Sequence, residues 1–100
     1  MVSTVRRTRV VSVTGGSLVV WAPSYKTGTV EAHALDGNGS RGQSYYADLT
    51  EYQNGAGEKV KVAVFPFLPP GNYDVKDPRY SYSYRKTTVF PGSEAEVDFR

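Results

Sequence analysis

The stretch from Lys59 to Val75 constrains the fold more than any other part of the chain, because it joins two strand patterns through a proline-rich corner. Its first part alternates valine with lysine or alanine, and a period of two is expected of a strand with one buried face. The alternation predicts that one set of side chains faces the core, namely Val60, Val62 and Val64.

The corner that follows carries three prolines and a Gly-Asn pair. Proline has no backbone N–H to donate, so Pro66, Pro69 and Pro70 are predicted to stop the pairing of the first strand. Gly71 and Asn72 tolerate a positive φ and are predicted to turn the chain into a second strand. The stretch therefore predicts two strands that a rigid corner connects.

The remaining sequence shows short strand patterns separated by turns, and turn signals at intervals of about 8–12 residues are typical of an all-β sandwich. The strongest turn signals are the glycine-rich runs at 36–39 and 54–57. The segment 43–52 alternates as a strand does but also tolerates a short helix; we favour the strand because its flanks are rich in glycine. The other predicted strands cover residues 5–13, 18–21, 29–35, 80–84, 87–90 and 95–99.

The composition indicates one small domain. One hundred residues suit a single two-layer core, which we assign to residues 1–100, with 1–14 as an edge strand or a partly mobile N-terminal arm. The 12 basic and 10 acidic residues give a net charge of +2, too slight by itself to indicate nucleic acid or an anionic membrane. The absence of cysteine excludes disulfides and thiolate metal sites.

Neither membrane insertion nor a signal peptide is predicted. No apolar run in the sequence approaches the roughly 20 residues that a spanning helix needs. The N-terminal residues carry positive charge, but no apolar core of adequate length follows them.

Three pieces of the sequence occur in an order that resembles a known family. They are residues 27–39, TGTVEAHALDGNG, residues 67–75, FLPPGNYDV, and residues 89–99, VFPGSEAEVDF. A strand that ends in a Gly-rich turn, then LPPG-x-Y-x-V, then PG-x-x-x-x-V-x-F is similar to the carboxypeptidase regulatory-like and CnaB-like domains. The resemblance covers most of residues 18–99.

This resemblance implies both a fold and a role. It implies a prealbumin-like (transthyretin-like) sandwich, so we expect a seven- to eight-stranded antiparallel β-sandwich. It also implies a non-catalytic module of a bacterial exported or cell-surface protein. CnaB-like domains commonly join a lysine of the first strand to an asparagine near the end. No lysine precedes Lys26 and no asparagine follows Asn72, so that cross-link is not expected.

Three tyrosines in the segment 80–84 are the leading candidates for a binding site. Their alternation with serine places Tyr80, Tyr82 and Tyr84 on one face of a strand, roughly 7 Å apart. Such a row can stack on sugar rings, and with Arg79 and Arg85 beside it, it can also stack unpaired bases. The ordinary structural interpretation, which we favour, is that these rings cover the core.

Weaker candidates have ordinary structural interpretations. Trp21 is predicted to pack in the core from a central strand, and Tyr25 follows in the next loop. His33, the only histidine, shares the polar face of its strand with Glu31 and is predicted to be solvated. The loop that begins at Asp36 lacks the ligands of a calcium loop and is predicted to be a plain turn.

Two sets of like charges lie near the chain ends. The basic set is Arg6, Arg7 and Arg9, and the acidic set is Glu94, Glu96 and Asp98. If the terminal strands pair, the two sets neutralise each other across the sheet.

The sequence shows neither a nucleophile with its base nor a pair of acidic residues that would line a catalytic pocket. No catalytic residue, metal or cofactor is therefore predicted. The favoured function is a non-catalytic structural or accessory binding module. Carbohydrate binding through the tyrosines is the alternative, and single-stranded nucleic acid is less favoured. The expected partners are polysaccharide or a neighbouring protein domain, and an exposed edge strand also permits a homo-oligomer. The resemblance favours an extracellular or cell-surface location.

Overall fold

The computed structural model describes residues 14–100, and these form eight strands without a helix. The strands are β1 (Gly16–Ala22), β2 (Thr29–Leu35), β3 (Arg41–Asp48), β4 (Thr50–Gln53), β5 (Lys59–Leu68), β6 (Gly71–Lys76), β7 (Tyr84–Val89) and β8 (Glu94–Asp98). The strand predicted for residues 5–13 lies outside the described residues. Within residues 14–100, no helix has the length and apolar character that crossing a membrane requires.

The eight strands form two four-stranded sheets. Sheet 1 has the order β4-β5-β1-β8, and sheet 2 has the order β3-β2-β6-β7. The predicted all-β sandwich is therefore confirmed, with eight strands. The purely antiparallel arrangement is wrong at one place, because β1 and β8 pair in parallel. The chain crosses from sheet 2 to sheet 1 between β7 and β8, so no hairpin turn forces β8 to run antiparallel to its neighbour.

The inner faces of the two sheets share one apolar core. The core side chains are Leu18, Val20, Val30, Ala32, Ala63, Phe65, Leu68, Tyr73, Val75, Val89, Val97 and Phe99. Strand β2 keeps the predicted bounds, and its alternation places Val30 and Ala32 inside as expected. Burial of this apolar surface, at about 25 cal/mol per Å2, is the main favourable term of folding.

The inner face of β5 differs from the prediction. Ala63 pairs with Val20 of β1, so Ala63 and Phe65 point into the core. Val60 and Val62 are buried, as the alternation predicts, whereas Val64 is 49% exposed. The prediction that these valines face the core between the sheets is wrong, because Val62 pairs with Trp21 and Val64 pairs with Val19 on the outer face of sheet 1. Phe65 has more apolar surface than the valines of this strand, so its burial contributes more to stability. Phe65 therefore determines which face of β5 points into the core.

Lysine on the inner side of β5 is tolerated at the end of the strand. Lys61 shares the face of Ala63, but it lies near the margin of the sandwich, where its Nζ donates to the Lys26 carbonyl oxygen at 2.7 Å. A long stem with a terminal ammonium can cover apolar surface while its charge reaches the edge. The alternation of valine and lysine was therefore a misleading indicator of the buried face.

Pro66 lies within β5 rather than ending it. Phe65 pairs with Leu18 and Leu68 pairs with Gly16, so two residues of β5 lie opposite one residue of β1. This mismatch is a β-bulge, a position where proline is tolerated because the ladder is interrupted locally. The prediction that Pro66 stops pairing is wrong, whereas β5 does end before the next two prolines.

The corner between β5 and β6 forms as predicted. Gly71 adopts a φ of 149°, which side chains rarely permit, and β6 begins there. The buried Tyr73 hydroxyl donates to the Pro69 carbonyl oxygen at 2.5 Å and ties the new strand back to the corner. The hydrogen bond satisfies a polar group that would otherwise be costly to bury.

Two further predictions about local structure are confirmed. Asp36 accepts the backbone N–H groups of Asn38 and Ser40 at 2.8 and 2.9 Å, so its loop is a plain turn. These bonds lower the pKa of Asp36. The segment 43–52 is extended, with no helix, and it divides into β3 and β4 at Leu49, where the chain changes sheet.

Trp21 lies on a central strand, as predicted, but not in the core. Its neighbour across the pairing of β1 with β5 is Val62, on the outer face of sheet 1. The indole Nε1 donates to a Glu96 carboxylate oxygen at 3.0 Å, and the Tyr52 ring approaches edge-on at 5.4 Å. The indole N–H needs a partner, and the outer face provides one.

Candidate functional site

The segment between β6 and β7 is a loop of two consecutive turns. The Asp77 N–H donates to the Ser83 carbonyl oxygen at 2.8 Å, and the Tyr80 N–H donates to the Asp77 carbonyl oxygen at 3.3 Å. The strand predicted for residues 80–84 is therefore wrong, because only Tyr84 belongs to β7. We call residues 77–83 the aromatic loop.

A buried carboxylate fixes the first half of the aromatic loop. Asp77 is 3% exposed, and its Oδ1 accepts both the backbone N–H and the Nε–H of Arg79, at 2.8 and 3.0 Å. Its Oδ2 accepts the second guanidinium nitrogen at 2.9 Å. Burial alone would raise the pKa of Asp77, but these hydrogen bonds outweigh it, so the pKa lies below its ordinary value. The loop is thus held by a bidentate ion pair.

Two tyrosines project from this anchored loop into solvent. Tyr80 is 49% exposed and Tyr82 is 82% exposed, and their ring centroids lie 5.9 Å apart with an interplanar angle of 39°. The Arg79 guanidinium lies 5.3 Å from the centroid of Tyr80. The hydrogen bond to Asp77 raises the pKa of Arg79, and Tyr80 and Tyr25 contribute to the same shift. Tyr25, in the loop between β1 and β2, is also exposed.

A groove of about 390 Å3 lies beside the aromatic loop. Its lining is mostly polar or charged and consists of Thr29, Glu31, Lys76, Asp77, Pro78, Arg79 and Ser81. Strands β2 and β6 supply one wall and the aromatic loop supplies the other. Such a lining offers hydrogen-bond donors and acceptors to a hydroxylated ligand next to exposed aromatic rings.

The other two predicted site residues lie elsewhere. Tyr84 pairs with Lys76 and lies on the outer face of sheet 2, where the Arg41 guanidinium covers its ring at 3.8 Å from the centroid. Arg85 points to the opposite side and donates to the Asp98 carbonyl oxygen at 2.7 Å. The structure thus brings Arg79, Tyr80 and Tyr82 together. Arg85 lies on the inner side of sheet 2, and the Phe99 ring lies between it and Arg79, at 4.9 Å from the Arg85 guanidinium carbon and 6.0 Å from that of Arg79.

A polar network on the outer face of sheet 2 escaped the sequence analysis. His33 is half-buried; its Nδ1 lies 2.9 Å from the Ser44 hydroxyl and its Nε2 lies 3.1 Å from a Glu31 carboxylate oxygen. The other Glu31 oxygen lies 3.6 Å from Lys76 Nζ. The pairing of β2 with β3 aligns His33 with Ser44, and only this register reveals the contact.

These three groups are of the types found in serine hydrolases, but the strand geometry does not supply an oxyanion hole. The Ser44 side chain projects away from the sheet, whereas backbone N–H groups of a strand lie in the plane of the sheet. Catalysis of acyl transfer needs donors aimed at the developing oxyanion. The network therefore fixes the orientation of His33 beside the groove.

We expect no covalent labelling of Ser44 by a fluorophosphonate probe, measured by intact mass. Without donors that stabilise the negative charge developing on the phosphoryl oxygen, Ser44 displaces fluoride too slowly for labelling. The Ser44→Ala variant is the control and should behave like the parent chain. One stoichiometric adduct, lost in both Ser44→Ala and His33→Ala, would contradict this reading.

A buried acid bridges two further cations of this face. The Asp74 carboxylate accepts from Arg41 Nε at 3.1 Å and from Lys86 Nζ at 3.0 Å. Burial alone would raise the pKa of Asp74, but these two contacts lower it below its ordinary value. The outer face of sheet 2 is therefore a net of opposite charges rather than a basic surface.

The fold places the protein in the class of small all-β proteins with two four-stranded sheets arranged as an open sandwich. Its exposed aromatic side chains include the pair of rings on the aromatic loop, which lies beside the polar groove. Comparison of the chain with protein-family models, with curated proteins and with solved structures found no match.

Proposed function

We propose that this chain is a non-catalytic β-sandwich module that binds carbohydrate through the aromatic loop. The observation that carries the proposal is the exposed pair Tyr80 and Tyr82, held on an ion-paired loop at the rim of the polar groove. The exposure of large apolar rings to water is unfavourable. The apolar face of a sugar can cover these rings and remove that exposure.

The geometry matches the chemistry of a sugar. Aromatic rings take the apolar face of a pyranose, and the polar groups of the groove take its hydroxyls. Glu31 and Asp77 are acceptors, while Lys76 and Arg79 are donors, so both kinds of partner lie in one lining. Because the ion pair with Asp77 fixes the loop before binding, little conformational entropy is lost when the ligand arrives.

Single-stranded nucleic acid is the less favoured ligand for the same surface. Binding to phosphates needs cations that can release counterions. Arg79 is already paired with Asp77, and Arg41 and Lys86 are both paired with Asp74. Three cations share two carboxylates, so these pairs leave one positive charge, and no cation among them is without an acidic partner. This supports a neutral ligand over a run of phosphates.

The family resemblance supports the remaining part of the proposal. Two four-stranded sheets and the Pro69–Tyr73 corner suit a prealbumin-like sandwich of the carboxypeptidase regulatory-like type. We accordingly place the module in a bacterial exported or cell-surface protein, as an accessory binding domain. If no sugar binds, a structural spacer beside a neighbouring domain is the alternative.

Replacing both loop rings should weaken glycan binding strongly. For the variant Tyr80→Ala/Tyr82→Ala we expect a loss of affinity of roughly 5- to 150-fold, because each ring contributes roughly 0.5–1.5 kcal/mol of stacking and burial. Affinity is measured by calorimetry or NMR titration with a panel of soluble polysaccharides and oligosaccharides.

The matched control is Phe90→Ala, which removes a comparably exposed ring from the loop between β7 and β8. It should bind the glycan as the parent chain does. Silence of the parent chain across the panel would remove carbohydrate binding. Binding to single-stranded DNA that weakens steeply with salt would replace carbohydrate with nucleic acid.

A further inference from the structure

A transverse row of side chains on the outer face of sheet 2 leads to the polar groove. Glu31 of β2 pairs with Tyr46 of β3, and one oxygen of its carboxylate lies 3.6 Å from Lys76 Nζ of β6. Residues directly opposite each other in an antiparallel pair point to the same face. The row therefore runs from Tyr46 through Glu31 to Lys76, and the last two residues line the groove.

The pairing of β2 with β3 places Tyr46 on one side of the groove. Strand β2 supplies Thr29 and Glu31 to the lining, and these two residues pair with Asp48 and Tyr46. Opposite side chains of such a pair have Cβ atoms about 4.5–5.5 Å apart. Tyr46 thus lies on the β3 side of the groove, whereas the aromatic loop follows β6 on the other side.

The ring of Tyr46 is open to contact. Of the aromatic side chains that residues 14–100 place on the strands of sheet 2, Tyr46 is the most exposed, at 63%. Tyr45 packs inward, with its ring centroid 6.1 Å from that of Tyr73. The Arg41 guanidinium covers the ring of Tyr84. Tyr46 is therefore the ring of these strands that a ligand can reach most readily.

The side chains between Tyr46 and the aromatic loop are polar, and their charges are paired. Glu31 and Lys76 are 32% and 30% exposed, so both can still contact a ligand. The other carboxylate oxygen of Glu31 lies 3.1 Å from His33 Nε2. A paired donor and acceptor suit the hydroxyl groups of a neutral ligand better than a run of phosphates.

The distance across this surface exceeds the width of one sugar ring. Adjacent strands lie about 4.8 Å apart, so the two spacings from β3 to β6 separate Tyr46 from Lys76 by roughly 10 Å. Tyr80 and Tyr82 lie farther along, in the loop that follows β6. A single pyranose cannot stack on Tyr46 and on this pair together, whereas a chain of sugar units can.

We propose that Tyr46 is a second stacking position for carbohydrate and that the ligand is a linear, uncharged polysaccharide bound across the strands of sheet 2. One sugar unit stacks on the pair Tyr80 and Tyr82, and another stacks on Tyr46. The hydroxyl groups of the units between them meet Glu31 and Lys76. This inference rests on the proposed carbohydrate-binding function and adds the length and the charge of the ligand.

The dependence of affinity on chain length tests this proposal. Neutral cello-, xylo-, manno- and malto-oligosaccharides of two and six units are titrated into the parent chain and into Tyr46→Ala, with calorimetry or NMR as the readout. The six-unit member of the recognised series should bind the parent chain several-fold more tightly than the two-unit member. Tyr46→Ala should weaken binding of the six-unit sugar by about 2- to 12-fold, the contribution of one stacked ring. It should weaken binding of the two-unit sugar less, because that sugar cannot reach both aromatic contacts.

Two further variants separate stacking from other effects. Tyr46→Phe keeps the ring and should lose less affinity for the six-unit sugar than Tyr46→Ala does. Phe67→Ala removes an exposed ring from β5 of sheet 1 and should bind this sugar as the parent chain does. In NMR spectra of the parent chain, the six-unit sugar should shift the signals of Tyr46 together with those of Tyr80 and Tyr82.

The outcomes distinguish this inference from the proposed function on which it rests. If Tyr46→Ala bound the six-unit sugar as tightly as the parent chain, the second stacking position would be wrong, while binding through the aromatic loop would stand. Tighter binding of oligogalacturonate than of every neutral series would overturn the uncharged ligand. Silence of the parent chain with both lengths of every series would remove the proposed function and this inference with it.

Discussion

Phe65→Ala is expected to lower the free energy of unfolding by about 3–5 kcal/mol, which is much of the stability of a typical small domain. Phe65 is 3% exposed and fills the core opposite Leu18, so truncation leaves a cavity that the two sheets cannot close. The measurement is urea denaturation followed by circular dichroism. The midpoint should fall steeply, and part of the population should be unfolded without denaturant.

Phe67→Ala is the matched control for this experiment. It removes the same ring two positions along the same strand, but Phe67 is 56% exposed. We expect a loss below about 1 kcal/mol. If the two variants lost similar stability, the bulge at Pro66 would not separate an inner from an outer aromatic residue, and the assignment of faces in β5 would be wrong.

Asp77→Ala is expected to destabilise the protein by roughly 2–3 kcal/mol and to loosen the aromatic loop. The change removes three charge-assisted hydrogen bonds to Arg79, while the guanidinium can hydrate in part, which limits the loss. Chemical denaturation gives the stability, and amide exchange of Tyr80 and Ser83 gives the order of the loop. Asp48→Ala removes an exposed carboxylate that accepts a hydrogen bond from Thr29 Oγ1, and it should change stability by less than about 0.5 kcal/mol.

The same ion pair makes stability depend on pH. The pKa of Asp77 is lower in the folded chain than in the unfolded chain, so its contribution is complete above the unfolded pKa of about 3.9. The contribution is lost as the pH falls through the folded pKa. Asp98, whose hydrogen bond with Arg100 lowers its pKa to about 2, behaves in the same way. The parent chain should therefore lose stability between about pH 4 and pH 2, and Asp77→Asn should lose less over that interval.

Local sequence patterns predicted much of the fold correctly. The alternation of β2 identified its bounds and its buried face, because Thr29, Glu31 and His33 leave only one apolar face. The turns at Asp36 and Gly71 followed from side chains that bond their own backbone or permit a positive φ. These features depend on neighbours in sequence, which a single chain displays.

Two of the local errors arose where contacts distant in sequence decided the outcome. Strand β5 carries apolar residues on both faces, so the pattern at Val60 and Val62 did not reveal which face Phe65 would take into the core. The serine–tyrosine alternation suited a strand, but Asp77 captures the Arg79 N–H and folds the segment into turns. An alternating sequence does not show that a buried hydrogen bond between a side chain and the backbone outweighs the strand propensity of the segment.

The candidate site was only partly visible in the sequence for the same reason. Arg79, Tyr80 and Tyr82 are close in sequence and stayed together in space. The contact of His33 with Ser44 depends on the register of β2 against β3, which no local pattern encodes. The placement of Arg85 on the opposite side follows from its neighbour in β6, the buried Val75.

The parallel pairing of β1 with β8 also bears on how the chain acquires its structure during translation. β1 is made first, yet one of its two partners is the final strand, so its second edge has no neighbour until residue 98 has left the ribosome. An apolar ribbon with an open side invites pairing with other nascent chains. The nascent polypeptide is therefore expected to complete its sandwich late, through closure over a long loop rather than by stepwise addition of hairpins.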